Sequence, residues 1–381
     1  MAKRRQAPRK KTVKNIDIFK MRISVLRKRM KLGVHVDAAL ITNPVDIRYL
    51  TGFVGDDSWA LVPMKAGKVV VLSDSRFEEQ IANEAPQVKV VMRKAGLAEA
   101  LKELLEKLGM KKISVQPSYM TVGVKETIGK AIGARHVVAF DEQLIEQRAI
   151  KDADEIKLIE KALVIQQCAF NQTIAGIRVG MSEYEIAGLL EYKMRTLGAD
   201  GVSFPSIVAV DANASLPHAI PRKKKVRKGS LVLIDWGAKY QGYCSDLTRV
   251  VCIGGELKGK KREIYEVCLA AQEAGIAAIR PGVSMVDVDR AARSVIEQAG
   301  YGEQFGHGLG HGIGLDIHEQ PVLSARGKGL LTEGQVVTVE PGIYLPGVGG
   351  VRIEDDVLVT EKGHKVLSDL PKSLESTIIK V

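Results

Sequence analysis

The strongest constraint on the fold is an internal repeat in the C-terminal part of the chain. The stretch IRVGMSEYEI at residues 177–186 matches IRPGVSMVDV at residues 279–288, so the offset from 177 to 279 is 102 residues. In each copy a serine precedes an acid by three residues, which is the spacing of a helix N-cap. These pairs are Ser182 with Glu185 and Ser284 with Asp287. Each helical pattern ends near a glycine, Gly198 or Gly300. The repeat predicts two copies of one structural unit, so site residues should come in pairs.

The region before the repeat has a different pattern, in which short apolar strands alternate with helical periods. VDAALITN and KVVVLSD are typical of strands, and the leucines between Leu97 and Leu108 have helical spacing. A chain of 381 residues is also long for a single core. We therefore predict a two-domain α/β (α+β) protein, with one domain over residues 20–148 and a second over residues 149–381.

The net charge of +11 would suggest a nucleic-acid partner, but the charge is concentrated at the N-terminus. Met1 to Lys31 carries thirteen Lys/Arg and one acid, a net charge of +12, so the remaining residues sum to −1. Residues 1–19 are predicted to be a disordered basic tail, and a nucleic-acid contact is expected only through it. No apolar run reaches the roughly 18 residues that span a membrane. The lack of an apolar leader and the four cysteines without paired spacing predict a cytoplasmic protein.

One pair of acids follows the first repeated helix. In LVLIDWGAKYQGYCSDLTRVV two β-rich runs flank KYQGY, which is typical of a hairpin turn. Asp235 and Asp246 lie symmetrically about this stretch, so an antiparallel register would place them opposite each other, with Cβ atoms about 4.5–5.5 Å apart. Two carboxylates this close repel each other unless they are protonated or bind a cation.

A second pair follows the second repeated helix. In QVVTVEPGIYLPGVGGVRIEDDVLV, Glu340 and Glu354 fall on two strands whose midpoint is Gly347. Four converging carboxylates are too many for one zinc ion but suit two divalent cations. Mostly oxygen ligands favour Mn²⁺ or Co²⁺, with Zn²⁺ as an alternative.

The stretch FGHGLGHGIGLDIHEQP contains His307, His311 and His318 among five glycines. Each glycine inside a helix costs about 1 kcal/mol, which argues against a helical zinc motif. One histidine can therefore bind a metal while another faces the substrate. Serine-nucleophile chemistry is disfavoured because no GxSxG elbow is present. Cys244 lacks the neighbours that activate a thiol nucleophile.

These motifs together resemble the proline-peptidase branch of the pita-bread dinuclear metallopeptidases, which includes prolidase and aminopeptidase P. The motifs are SLPHA, IDWGAKYQGYCSDLTR, HGLGHGIGLDIHE, VEPGIY and GGVRIEDD. The resemblance extends from about Ala149 to the C-terminus. Residues 20–148 resemble, more loosely, the creatinase-type N-terminal domain of the same family.

The resemblance implies a role for each motif residue. Asp235 would bind one metal, Asp246 and Glu354 would bridge both metals, and His311 with Glu340 would complete the second. A water activated by the two metals would attack the bond before proline, and Glu340 would accept its proton. The substrate-facing residues implied are His218, His307 and His318, with Tyr344 and Arg352 nearby. Arg352 is equally interpreted as a residue that holds a carboxylate ligand.

The resemblance also implies a proline-containing peptide substrate and a homodimer. It leaves open whether dipeptides or longer peptides are preferred. Two alternatives remain: a general aminopeptidase with the same fold, and a non-catalytic binding protein that uses the basic tail.

Overall fold

The computed structural model describes residues 12–140 and 142–381. The described chain divides into two compact units, with the boundary between Gln147 and Arg148. Both units contain helices and strands, which confirms the predicted two-domain α/β organisation. In the part of the chain that the structure describes, none of the helices combines the length and the apolar character that a membrane-spanning segment needs.

The first unit is built around one mixed sheet. Up to residue 149 the elements are α1 (Thr12–Gly33), β1 (Ala38–Ile41), α2 (Pro44–Thr51), β2 (Trp59–Pro63), β3 (Val70–Ser73), α3 (Glu78–Glu84), β4 (Lys89–Met92), α4 (Leu97–Leu108), β5 (Ile113–Val115), α5 (Val122–Ile132), β6 (Val137–Ala139) and α6 (Glu142–Ala149). The strand order is β4-β3-β2-β1-β5-β6. The leucine periodicity of α4 packs Leu101, Leu104 and Leu105 onto this sheet.

Helix α1 corrects part of the predicted disordered tail. Residues 12–19 belong to α1, so the prediction of disorder is wrong for them. The helix is stabilised because Arg22, Leu26 and Met30, four residues apart, form a buried stripe on one face. Asp17 and Lys20 add an ion pair one turn apart. Residues 1–11 of the tail, and the nucleic-acid contact expected from it, lie outside the described residues.

The second unit contains the repeat. Its elements are α7 (Ala153–Gly176), α8 (Glu183–Thr196), β7 (Gly201–Val202), β8 (Ile207–Val210), β9 (Ser230–Trp236), β10 (Ala238–Tyr240), β11 (Tyr243–Cys244), β12 (Leu247–Ile253), α9 (Gly259–Ala278), α10 (Met285–Gln298), β13 (Gly310–Gly312), β14 (Glu319–Leu323), β15 (Val336–Val339), β16 (Gly342–Leu345), β17 (Gly349–Arg352), β18 (Asp355–Thr360), β19 (Gly363–Val366) and β20 (Ile378–Ile379). The two larger sheets have the orders β20-β12-β9-β8 and β14-β13-β15-β18-β19. Each copy of the repeat therefore contributes two helices and one of these sheets, except that β20, from the C-terminal end of the chain, joins the sheet of the first copy.

The repeated helices begin where the sequence predicts. Ser182 caps α8 in a complete capping box with Glu185, whose carboxylate accepts from the Ser182 backbone N–H. Ser284 caps α10 through the Asp287 N–H, but the shorter Asp287 side chain accepts from the Ser284 hydroxyl instead. Beyond each helix, Gly198 or Gly300 has positive φ, a conformation that glycine adopts without a Cβ clash.

Candidate metal centre

The predicted site residues converge on one cavity of about 360 Å³ in the second unit. Nine of the ten line it: Asp235, Asp246, Glu340, Glu354, His218, His307, His311, His318 and Arg352. The tenth, Tyr344, forms hydrogen bonds to Arg352 and His307. Residues separated by more than a hundred positions in the chain therefore share one site.

The first acid pair comes from the hairpin of β9 and β12, in a register that differs from the prediction. Asp235 lies opposite Thr248, and Asp246 lies two residues before Thr248 on the same face. The two aspartates are diagonal neighbours, so the expectation of direct opposition is wrong. The turn is Gln241–Gly242, with φ of 44° and 79°, and lies one residue beyond the assumed midpoint. When the turn lies one residue later in the chain, the residue that pairs with Asp235 lies two residues later, at Thr248 instead of Asp246.

The second acid pair has the register that its spacing predicts. Val339 pairs with Asp355, and Gly342 pairs with Arg352. Between these pairs the same register places Glu340 directly opposite Glu354, where both strands are interrupted. The side chains therefore start at the same end of the neighbouring strands β15 and β18 and reach into the cavity.

His311 sits on the short strand β13, and its neighbours show why this stretch is rich in glycine. A Cβ at Gly310 would lie 2.0 Å from the Thr338 carbonyl oxygen, and one at Gly312 would lie 2.2 Å from that of Gln320. Only glycine permits this backbone approach on both sides. The strand also confirms that HGLGH is not helical.

The protonation of His311 suits a metal ligand. Its Nδ1 lies 3.0 Å from the Gly312 carbonyl oxygen, so Nδ1 carries the proton and Nε2 keeps its lone pair. Nε2 lies 3.4 Å from Glu340 Oε1 and 3.7 Å from Asp246 Oδ2. Burial lowers the pKa of His311 to about 4, so the ring is neutral at physiological pH.

Three of the acids have carboxylate oxygens without a hydrogen-bond partner. Such oxygens are available to bind metal ions. Asp235 Oδ1, Asp246 Oδ1 and Glu354 Oε1 are buried without a hydrogen-bond partner. Burial raises the pKa of Asp246 and Glu354 well above its ordinary value, and the neighbouring carboxylates raise it further. Ligand atoms of Asp246, His311 and Glu354 all lie within 4.8 Å of one another. Orphaned oxygens and mutual repulsion are what bound cations would relieve, so the residues fit divalent metals.

Arg352 starts a chain of hydrogen bonds along one wall. Its guanidinium donates to Asp235 Oδ2 at 2.5 Å and to the Tyr344 hydroxyl at 2.7 Å. The Tyr344 oxygen lies 3.0 Å from His307 Nε2, and His307 Nδ1 lies 2.8 Å from the Gly308 carbonyl oxygen. Because that carbonyl needs a donor, Nδ1 carries the proton and Tyr344 donates to Nε2. Both nitrogens of His307 are engaged, so in this arrangement it has no N–H free for a substrate.

His218 and His318 are the other two histidines of the cavity. The His318 ring packs edge-to-face on His311, with centroids 4.4 Å apart. Burial and the nearby His218 lower the pKa of His318. Both rings line the cavity beside the candidate metal ligands.

Several residues that hold the candidate ligands were not predicted from the sequence. The Thr248 hydroxyl donates to Glu354 Oε2 at 2.7 Å and accepts from Arg352 Nε at 3.1 Å. Asp356 accepts from the Asp246 backbone N–H at 3.1 Å. Thr248 lies two residues after Asp246, and Asp356 two residues after Glu354, so the two-residue period of strands could have identified both. The apolar part of the wall, Phe204, Ile207, Ile317 and Val322, carried no comparable signal.

Comparison with known proteins identifies the family. The sequence model of metallopeptidase family M24 matches residues 157–361, and that of the creatinase/prolidase N-terminal domain matches residues 22–150. The chain belongs to metallopeptidase family M24 and is a metallopeptidase. The predicted fold, a creatinase-type domain followed by a pita-bread catalytic domain, is confirmed.

Similar proteins cover nearly the whole chain. A Xaa-Pro dipeptidase of Pyrococcus horikoshii is 35% identical, over 89% of this chain and 94% of its own length. The structure of a Xaa-Pro dipeptidase from Bacillus anthracis is 37% identical, with a TM-score of 0.89 over 94% of this chain and 99% of that one. The structure of an X-Pro aminopeptidase from Thermotoga maritima is 39% identical, with a TM-score of 0.84 over 93% of this chain and 100% of that one. The similar proteins thus include both a dipeptidase and an aminopeptidase.

Proposed function

We propose that this protein is a metal-dependent Xaa-Pro peptidase that hydrolyses the peptide bond before proline in dipeptides or short peptides. The observation that carries the proposal is a cavity lined by four acids and His311, in which three of the acids have a buried carboxylate oxygen without a hydrogen-bond partner. Relatives named Xaa-Pro dipeptidase and X-Pro aminopeptidase support the choice of substrate.

The residues proposed to hold two divalent cations are Asp235, Asp246, His311, Glu340 and Glu354. When bound, the cations lower the pKa of a water molecule and polarise the peptide carbonyl. Manganese is the proposed metal because four of the five ligands are carboxylates, which are hard oxygen donors. If the isolated protein contains cobalt or zinc, that metal replaces manganese in the proposal, and the proposed ligands stay the same.

Glu340 is proposed to move the proton. Burial raises its pKa to about 8, so in the metal-free site it can hold a proton near neutral pH. Thr338 Oγ1 lies 3.4 Å from Glu340 Oε1, and Arg352 Nε lies 3.9 Å from Oε2, which restricts the carboxylate to the cavity side. Glu340 can then accept the proton of the attacking water and donate it to the leaving proline nitrogen.

His218 and His318 are proposed to orient the peptide and to stabilise negative charge on its carbonyl oxygen. His307 acts on the substrate less directly, because Tyr344 occupies its Nε2. We assign His307 and Tyr344 to the substrate-binding wall, where they fix the Arg352 guanidinium. Arg352 in turn donates to Asp235 and holds that proposed ligand in place.

The apolar wall offers a surface for proline. A Xaa-Pro bond is a tertiary amide without an N–H, so the enzyme gains nothing from a hydrogen-bond acceptor at that position. Phe204, Ile207, Ile317 and Val322 provide apolar contact area beside the ligands instead. The pyrrolidine ring of proline can bury its apolar surface against this wall, which favours binding.

The test is turnover by metal-stripped protein, with and without Mn²⁺, of Xaa-Pro, Xaa-Pro-Xaa and matched Xaa-Ala peptides. We expect Mn²⁺-dependent cleavage of the proline peptides alone, and the rate ratio of dipeptide to tripeptide distinguishes dipeptidase from aminopeptidase. Equal cleavage of the alanine peptides would instead identify a general aminopeptidase. No cleavage and no retained metal would identify a binding protein.

Two further properties belong to the proposal. We propose a cytoplasmic location because the four cysteines are free thiols, as expected in a reducing compartment. We also propose a homodimer, which the family resemblance supports and which light scattering can test.

A further inference from the structure

His218 is carried by a loop that runs from β8 towards β9. We define the His218 loop as residues 211–222. One of its contacts to the metal centre is from Arg352 Nη1 to the Pro217 carbonyl oxygen, at 3.3 Å. A loop of this length needs further contacts to hold a side chain in one position.

Asp211, the first residue of the loop, accepts from Ser230, Leu231 and Lys261. The contacts that join both ends of the loop come from one buried carboxylate, Glu183, the first residue of helix α8. Glu183 Oε1 accepts from the Val210 N–H, directly before the loop, at 2.6 Å. Oε2 accepts from the Arg222 N–H, the last residue of the loop, at 2.7 Å. Oε2 also accepts from Asn213 Nδ2, inside the loop, at 2.8 Å. A single side chain therefore ties both ends of the loop together.

Burying a carboxylate is unfavourable unless donors replace its water. Glu183 has three donors, and as the first residue of α8 it also lies at the positive end of the helix dipole. Removing its acceptor oxygens would leave backbone N–H groups at both ends of the loop without partners. The loop can then adopt other positions.

The second copy of the repeat shows that the fold does not require this acid. The residue equivalent to Glu183, 102 positions later, is Met285. There a backbone bridge between Ser284 and Leu330 joins the helix start to the corresponding loop, as Ser182 and Lys225 do in the first copy. The backbone bridge is common to both copies, whereas the acids differ. The corresponding segment of the second copy, residues 313–324, carries His318 and is held through its own buried acid, Glu319, which pairs with Arg148 and Lys151.

We propose that Glu183 is a positioning residue that holds His218 against the metal centre. The proposal rests on the function proposed above, because it assigns His218 to substrate contact. Glu183 touches neither the cavity nor the ligands, so its effect reaches the substrate through the His218 loop.

The main variant is Glu183→Gln, which keeps the size but leaves one acceptor oxygen for three donors. We expect kcat/KM for Xaa-Pro peptides to fall about 10- to 100-fold, the loss typical of a misplaced active-site group. Metal affinity should stay unchanged, because the ligands lie on other elements. The matched control is Glu185→Gln, two residues later on the same helix, which should keep wild-type kcat/KM.

A double-mutant cycle with His218→Ala separates positioning from general stability. If Glu183 acts through His218, adding Glu183→Gln to His218→Ala should lower kcat/KM by less than about two-fold. A full second loss in the double variant would overturn the proposal. If Glu183→Gln does not fold, Asn213→Ala removes one anchor, and a smaller loss, again absent in the His218→Ala background, is expected.

Tryptic cleavage in the exposed stretch Arg222 to Lys225 gives a readout that needs no activity. Cleavage should be faster in Glu183→Gln than in wild type and Glu185→Gln. Unchanged cleavage would refute the loop closure, whatever the substrate proves to be. An inactive wild type with faster cleavage in the variant would overturn the proposed function and leave the loop closure supported.

Discussion

The two copies of the repeat deliver their acid pairs in different ways. In the first copy Asp235 and Asp246 are diagonal across a hairpin with a two-residue turn. In the second copy Glu340 and Glu354 face each other where the ladder is interrupted. The glutamates lie where their strands are interrupted, whereas Asp235 lies within β9 and Asp246 lies directly before β12. A duplicated scaffold can thus fill one asymmetric site, because strand register and side-chain length vary independently.

The largest effect on turnover should come from two single variants, each of which removes one proposed metal ligand from a different copy of the repeat. Asp246→Asn and Glu354→Gln should each lower turnover of Xaa-Pro peptides by more than about 10³-fold, exceeding the 10- to 100-fold typical of residues behind a ligand. Turnover and metal content per chain measure this. Asp154→Asn, a change at an exposed acid, is the control. A ligand variant that kept wild-type metal content and rate would show that only one copy serves the site.

Two adjacent acids of the second copy have opposite pKa shifts. Burial would raise the pKa of Asp355, but Arg249 and Lys372 outweigh it and lower the pKa. Burial raises the pKa of Asp356 well above its ordinary value. We expect Asp355→Asn to destabilise the protein at pH 7 by about 3 kcal/mol, because it leaves Arg249 without its carboxylate. Asp356→Asn should stabilise the metal-free protein.

Urea unfolding in the presence of a chelator, at pH 2 to 8, measures both effects. The Asp355 contribution is present above its unfolded pKa of about 4 and is lost as pH falls through the lower folded value. For Asp356 the folded protein holds the proton more tightly, so stability decreases as pH rises above about 4, and Asp356→Asn should flatten this decrease. Equal pH profiles for the two variants would contradict the assignment.

The hydroxyls behind the ligands should differ between the acid pairs. Thr248→Val removes a 2.7 Å contact to Glu354 and one to Arg352, and should weaken metal affinity about 10- to 100-fold. Thr338→Val removes a 3.4 Å contact to Glu340 and the acceptor of the His311 backbone N–H at 3.1 Å. Neither contact to a proposed ligand side chain is as short as that of Thr248, so metal affinity should weaken only a few-fold. Competition with a chelator measures both affinities, and Thr248→Ser should restore wild-type affinity. An equal loss in both valine variants would show that contact length does not decide the effect.

The smallest effect concerns the turn that sets the diagonal register. Gln241 has φ of 44°, and asparagine tolerates this region better than glutamine. Gln241→Asn, which creates the favoured Asn-Gly turn, should stabilise the protein by about 0.5 kcal/mol in urea unfolding. Val348→Asn in the other hairpin is the control, because Val348 does not have positive φ. Stabilisation by both changes would point to a surface effect unrelated to the turn.

Local signals in the sequence were sufficient for the helices and the repeat. Ser182 and Ser284 predicted both helix starts, and the leucine spacing predicted α4. The symmetric glutamate pair was also predictable, because its loop is centred on Gly347. In these cases the determining residues are neighbours in the chain.

The remaining features depend on competition between local signals or on distant contacts. The position of the hairpin turn depended on whether Gln241–Gly242 or the preceding pair adopts positive φ. A dense run of basic residues hid the buried stripe of α1. The contact between Tyr344 and His307 joins residues 37 positions apart and leaves no pattern in the sequence.

The two glycines beside His311, Gly310 and Gly312, also limit how this site can change over evolutionary time. Backbone oxygens fill the space where the side chains of residues 310 and 312 would be, so neighbouring side chains cannot repack around a substitution there. Drift towards another metal or another ligand spacing is therefore easier at the carboxylate positions, where an Asp–Glu exchange alters reach by one methylene. In this protein His311 is the fixed reference point, and the acids are the adjustable part of the site.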